Sequence, residues 1–181
     1  MEERTLESRR IYEGRVISLR IDKVLLPSGR QTKREVVEHG DCVAIIALDP
    51  DGDVVLVKQF RQAAGKALLE IPAGNVDRGE SPEQAAIREL GEETSLEAGK
   101  LKRLLGFYTS PGYSSEYLHL CLATDLKHGT LSPMEDESIE VVRVPLSDIP
   151  RLIASGEICD GKSIAGLLAF ITLREDLRRY A

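Results

Sequence analysis

Apolar and polar side chains alternate where Ile17, Leu19 and Ile21 interleave with Ser18, Arg20 and Asp22, which is the period of a half-buried strand. Pro27-Ser28-Gly29 is a turn signal, and an extended run resumes at Glu35-Val36-Val37-Glu38, so residues 15–38 are expected to form a β-hairpin. Cys42 to Leu48 is continuously apolar and too short to favour a helix, and it reads as a buried strand. Asp49-Pro50-Asp51-Gly52 turns the chain, and Val54-Val55-Leu56-Val57 returns antiparallel. Further strands are expected at Leu68–Ile71, Leu101–Tyr108, Tyr117–Ala123 and Ile139–Val144. A short helix near Ser147–Ala154 and a longer one from about Lys162 to Arg179 complete the pattern. Strands and helices mix without strict βαβ alternation, so the expected class is α+β with a mixed sheet. No repeat, low-complexity tract or linker interrupts the chain.

The segment 74–96 changes the picture. Ser81 is a good N-cap, Pro82 suits the first helical position, and Gln84 completes a capping box, so a helix over 82–94 is expected on local evidence. Glu89 and Glu93 lie four apart on one face of it, with Glu92 on the flank. Like charges so close repel, and hard divalent cations that prefer oxygen ligands offset the repulsion. Glu80 and Arg88 can pair across the loop, while Ala85, Ala86 and Leu90 supply an apolar docking face. An E-x-x-E-E on its own is more often a solvated acidic face.

The whole segment resembles the Nudix box, G-x5-E-x7-R-E-U-x-E-E-x-G-U, with U a bulky aliphatic residue. Gly74, Glu80, Arg88, Glu89, Leu90, Glu92, Glu93 and Leu96 match at the family's spacing. Ser95 departs, standing where the family has its last glycine, at a helix exit that favours a left-handed residue. The resemblance implies a Nudix-type α/β/α sandwich over residues 41–181, preceded by an N-terminal hairpin region over residues 1–40. It also implies that Glu89, Glu93 and the Ala73 carbonyl bind metal, that Glu92 assists catalysis, and that Gly74, Glu80 and Arg88 are structural.

Beyond the box, Arg34-Glu35-Val36-Val37-Glu38-His39, Val57-Lys58-Gln59-Phe60-Arg61 and Leu69-Glu70-Ile71-Pro72-Ala73-Gly74 look like the ADP-ribose pyrophosphatase branch. Pro111 follows Leu96 at about that branch's spacing, inside Ser110-Pro111-Gly112-Tyr113-Ser114-Ser115-Glu116. The branch implies Mg²⁺-dependent hydrolysis of ADP-ribose, or of a related nucleoside diphosphate derivative, to AMP and ribose 5-phosphate. Two or three ions per site are expected, with Mn²⁺ an alternative. Arg61 is the candidate phosphate contact, since its fork suits phosphate oxygens. Lys33, Arg34, Gly112 and Glu116 are further substrate candidates, the first two from a hairpin that similar enzymes exchange across a homodimer. In the acidic run Glu135-Asp136-Glu137, Glu135 is assigned as the water-activating base and Glu137 as a metal ligand. Solvated acidic loops and a surface arginine are the plainer alternatives.

Charge and composition fit this picture. The net charge of −6 argues against a nucleic-acid surface and calls for a cation between protein and anionic substrate. No apolar run reaches the ~18 residues of a membrane span, and Met1–Arg10 carries no apolar signal core. Cys42, Cys121 and Cys159 lack metal-ligand spacing and read as buried thiols of a cytoplasmic protein. His119 lies on a strand and is expected to be packed rather than catalytic. Two competitors remain: a nucleotide-sugar or dinucleoside-polyphosphate hydrolase, and a non-catalytic ADP-ribose-sensing domain, against which the intact carboxylate set argues.

Overall fold

The computed structural model describes residues 2–129 and 139–179, with side chains described up to residue 174. The chain forms two compact units, one of residues 1–41 with 107–118 and one of residues 42–106 with 119–181.

The first unit is built on β1 (Arg4–Glu13), β2 (Ser18–Leu25) and β3 (Gln31–Glu38), an antiparallel sheet in that order. The expected hairpin is β2–β3, turning at Gly29 with φ 80° and an N–H donated to Leu26. Strand β1 extends it, which corrects the two-stranded expectation. All residues of β1 are exposed, so its sequence carries no burial period from which a strand could be read. Asp22 is buried and accepts from Ser8 Oγ at 2.6 Å and Arg20 Nε at 3.0 Å, while Arg20 also pairs with Glu38. The 109–116 loop lies along β3: Val37 donates to the Tyr113 carbonyl at 2.7 Å and accepts from Ser115 N–H at 3.0 Å. The Ser-Pro-Gly loop is thus an extension of the N-terminal sheet.

The second unit contains β4 (Cys42–Leu48), β5 (Asp53–Arg61), β6 (Lys66–Glu70), β7 (Ala73–Asn75), α1 (Pro82–Thr94), all but the last two residues of β8 (Leu96–Tyr108), all but the first two of β9 (Tyr117–His128), β10 (Ile139–Pro145), α2 (Ile149–Ser155) and α3 (Gly161–Arg179). Its sheet runs β10-β5-β4-β9-β8, with β6 on β5 and β7 on β4. Successive strand residues point to opposite faces. Val43, Ile45 and Ala47 of β4 pack with Cys121 and Ala123 of β9 and Ala85, Ala86 and Leu90 of α1. Ala44 and Ile46 are equally buried on the other face, where Leu120 and Ile71 press against Gly166 of α3. The continuous apolar run of β4 is explained by this double burial, and α1 and α3 enclose the sheet as an α/β/α sandwich. Each large aliphatic side chain so buried contributes about 1.5–3 kcal/mol. The three-residue β7 was not legible as a strand, being too short to show a period.

Candidate active site

Helix α1 starts as its local sequence requires. Ser81 Oγ accepts from Gln84 N–H at 3.2 Å, and the Gln84 side chain accepts from Ser81 N–H at 2.8 Å. It ends at Ser95 in the left-handed region, φ 57° and ψ 29°, with its N–H on the Gly91 carbonyl. Serine therefore occupies the conformation that the family gives to glycine.

Between these ends, Arg88 organises the carboxylates. Its Nε and Nη2 grip Glu80 at 3.1 and 3.0 Å, and Nη2 also donates to the Asn75 carbonyl at 2.9 Å. Its Nη1 reaches Glu89 at 2.7 Å and Glu92 at 3.0 Å. The guanidinium holds the Glu80 carboxyl below the usual carboxylate range, and Glu80 in turn keeps Arg88 protonated far beyond any working pH. Loop and helix are thereby clamped together.

Glu93 is only 5% exposed, and one of its oxygens accepts from Ala73 N–H at 3.0 Å. A buried carboxylate this close to the Ala73 peptide brings the side chain and the adjoining carbonyl strand to one place. Gly74 follows directly, and a Cβ there would fall on the Glu89 carboxylate, far inside van der Waals contact. A side chain at position 74 would have to displace that carboxylate, and Gly74 is not among the positive-φ glycines. Ala73, Gly74, Glu80, Arg88, Glu89, Glu92 and Glu93 are all gathered here. All the donors are oxygens, the donor type of a hard divalent cation. One guanidinium shared among three carboxylates leaves negative charge for such an ion to balance.

Arg61, at the end of β5, forks onto Glu70 of β6, Nε to Oε1 at 3.0 Å and Nη2 to Oε2 at 2.8 Å. Glu70 chiefly holds the Arg61 guanidinium above its ordinary value, with the charges of Glu93 and Asp160 adding to it. Glu70, 1% exposed, further accepts from Lys162. Lys162 donates to Asp160 at 2.8 Å, and Asp160 caps α3 by accepting from Ser163 N–H and Oγ at 3.0 and 2.6 Å. Ser163 Oγ then accepts from Ile71 N–H at 2.9 Å. Burial raises the Glu70 and Asp160 carboxyls, but their cations outweigh it and hold both below the ordinary range. Sequence reasoning missed this group, although Asp160-Gly161-Lys162-Ser163 is an N-cap signature.

Among the remaining candidates, Arg34 forks onto Glu3 at 3.0 and 2.6 Å within the N-terminal sheet, and Lys33 is exposed on β3. Glu116 accepts from Thr109 Oγ at 2.6 Å across the loop that contains Gly112, where a Cβ would meet nothing within 4 Å. Glu135 and Glu137 lie outside the described residues. His119 is buried on β9, as expected. Cys42 and Cys121 are buried, the latter's thiol pushed up to about 11 by burial, but Cys159 is exposed, against the expectation of three buried thiols.

A capped helix carrying clustered carboxylates against a sandwich sheet defines a class of site rich in the oxygen donors that a hard divalent cation takes. The NUDIX domain matches residues 38–166, and the nucleoside diphosphate sugar hydrolase N-terminal domain matches residues 3–37. The chain belongs to the Nudix family. It is 41% identical to the ADP-ribose pyrophosphatase of Bacillus subtilis, over 98% of this chain and 97% of that one. The methanol dehydrogenase activator of Bacillus methanolicus is 37% identical, over 98% and 96%. A GDP-mannose pyrophosphatase of Citrobacter koseri is 36% identical, over 73% and 74%. A solved structure described as an ADP compounds hydrolase superimposes with TM-score 0.87 at 23% identity, covering 100% of this chain and 97% of that one.

Proposed function

We propose that this protein hydrolyses the pyrophosphate of ADP-ribose, adding water to release AMP and ribose 5-phosphate. The observation that carries the reading is the complete carboxylate set of α1, clamped by Arg88 and set against Ala73. The near full-length similarity to an ADP-ribose pyrophosphatase supports the choice of substrate.

Glu89, Glu93, the Ala73 carbonyl and Glu137 would hold Mg²⁺ or Mn²⁺, two or three ions in all, with Glu92 assisting. When bound, such ions supply charge neutralisation for the pyrophosphate and a more acidic water. Glu135 accepts the proton of the attacking water. Arg61 offers a further cationic contact to a phosphate oxygen, and Arg88 keeps the ligand carboxylates in place. Lys33, Arg34, Gly112 and Glu116 contact the nucleoside or sugar ends.

The working unit is a homodimer built through the N-terminal sheet of residues 1–40, which precedes a catalytic domain of residues 41–181 in the sequence. Leu6, Ile11 and Tyr12 stand exposed on β1, an apolar surface that a second copy would cover. Cysteines not joined in disulfides agree with a cytoplasmic setting, and among the described residues no helix is long and apolar enough to cross a membrane. The similarity to a GDP-mannose pyrophosphatase favours one second reading, a nucleotide-sugar substrate at the same site.

A panel of ADP-ribose, GDP-mannose and dinucleoside polyphosphates assayed with Mg²⁺ tests the reading. The highest kcat/KM is expected for ADP-ribose with release of AMP; a preference for GDP-mannose would move the substrate to the second reading.

A further inference from the structure

The ionic group around Glu70 does more than join α3 to the sheet. Glu70 is a carboxylate with almost no solvent exposure, placed three residues before Ala73 and paired with two cations. Its grip on Arg61 uses Nε and Nη2 only. That geometry fixes the plane of the guanidinium and leaves Nη1 as the donor outside the ion pair, on a side chain still 38% exposed. An arginine so held loses little side-chain entropy when it meets a phosphate, because the rotamer is already chosen. Glu70 is itself fixed from behind by Lys162, which Asp160 orients, and Asp160 is held by Ser163. Ser163 also accepts from Ile71, two residues before the Ala73 peptide that donates to Glu93. One continuous set of hydrogen bonds therefore runs from Arg61 through the start of α3 to the strand segment that leads into the carboxylate cluster.

We infer that Glu70 is a positioning residue for substrate binding, backed by Lys162 and Asp160 at the start of α3, which presents Arg61 to the pyrophosphate. The inference rests on the reading of Arg61 as a phosphate contact. If Glu70 acts through Arg61, removing it should cost nothing once Arg61 is gone. If it only stabilises the fold, its loss should be independent of Arg61.

A double-mutant cycle on the full-length protein separates these. The variants are Arg61→Ala, Glu70→Gln and the double substitution. Affinity for ADP-ribose is measured by calorimetry in EDTA, where no turnover intervenes, and KM and kcat are measured with Mg²⁺. Loss of one charge-assisted phosphate contact corresponds to about tenfold in affinity. Each single variant is expected to weaken binding by roughly that factor, and the double variant by the same factor rather than its square. The effect should fall on KM more than on kcat. Glu70→Asp retains the charge but shortens the arm, and it too should weaken binding, so the test stands if Glu70→Gln fails to fold. Losses that multiply in the double variant, or a Glu70→Asp protein that binds like wild type, would overturn the positioning role and leave Arg61 as a contact. Wild-type affinity in Arg61→Ala would instead overturn the contact, and with it this inference.

Discussion

Helix α1 and strand β1 are both rich in charge, yet they stand at opposite ends of a scale. On α1, carboxylates are packed against the sandwich, Glu93 is nearly inaccessible, and one arginine serves Glu89 and Glu92 together with Glu80 of the preceding loop. On β1, charged residues stand among Leu6, Ile11 and Tyr12, which are 40, 45 and 56% exposed, and none of its residues is buried among the described residues. Confined like charge is costly unless an ion of opposite sign relieves it. Exposed apolar surface on a sheet is costly unless another surface covers it. The first region thus points to a metal and chemistry, the second to a partner chain.

Five substitutions sharpen that contrast. Glu93→Gln keeps shape and the acceptor for Ala73 N–H but removes a charge from the cluster. Turnover is expected to vanish while the melting temperature stays close to wild type, as steady-state kinetics and calorimetry would show. Glu135→Gln is expected to lower kcat by about 10²-fold or more with little change in Mg²⁺ affinity, as loss of a general base does. Glu137→Gln should instead raise the Mg²⁺ concentration needed for half-maximal rate, and reversed phenotypes would exchange the two roles. Ile11→Glu puts a charge on the exposed face of β1. It is expected to yield a monomer by sedimentation at micromolar concentration and to raise KM about tenfold if one charged substrate contact is lost with the partner. Ser95→Gly relieves a left-handed serine and should stabilise the fold by up to about 1 kcal/mol in denaturant unfolding.

The same contrast explains what could be read from sequence. The start of α1 was legible because its signals are local: Ser81, Pro82 and Gln84 make their bonds within three residues. The left-handed Ser95 was legible because the box places a glycine there. The strand β4 was legible because burial on both faces leaves an unbroken apolar run. By contrast, the close approach at Gly74 is to a helix side chain fifteen positions later, and the Glu70–Lys162 pair spans 92 residues. No periodicity encodes contacts of that range. Strand β1 was missed for the opposite reason, since a strand that buries nothing has no hydrophobic period to show. Folding α1 against the sheet thus brings the carboxylates together, while Arg61 is held by a Glu70 that is itself tied to the start of α3.

The most direct test of the account is quantification of both products from ADP-ribose as Mg²⁺ is titrated into the metal-free wild-type protein. AMP and ribose 5-phosphate are expected in equal amounts, rising with Mg²⁺ and abolished by EDTA. Hydrolysis that persists in EDTA, or an intact ADP-ribose pool at saturating Mg²⁺, would contradict the assignment of the α1 carboxylates to a metal-dependent pyrophosphatase.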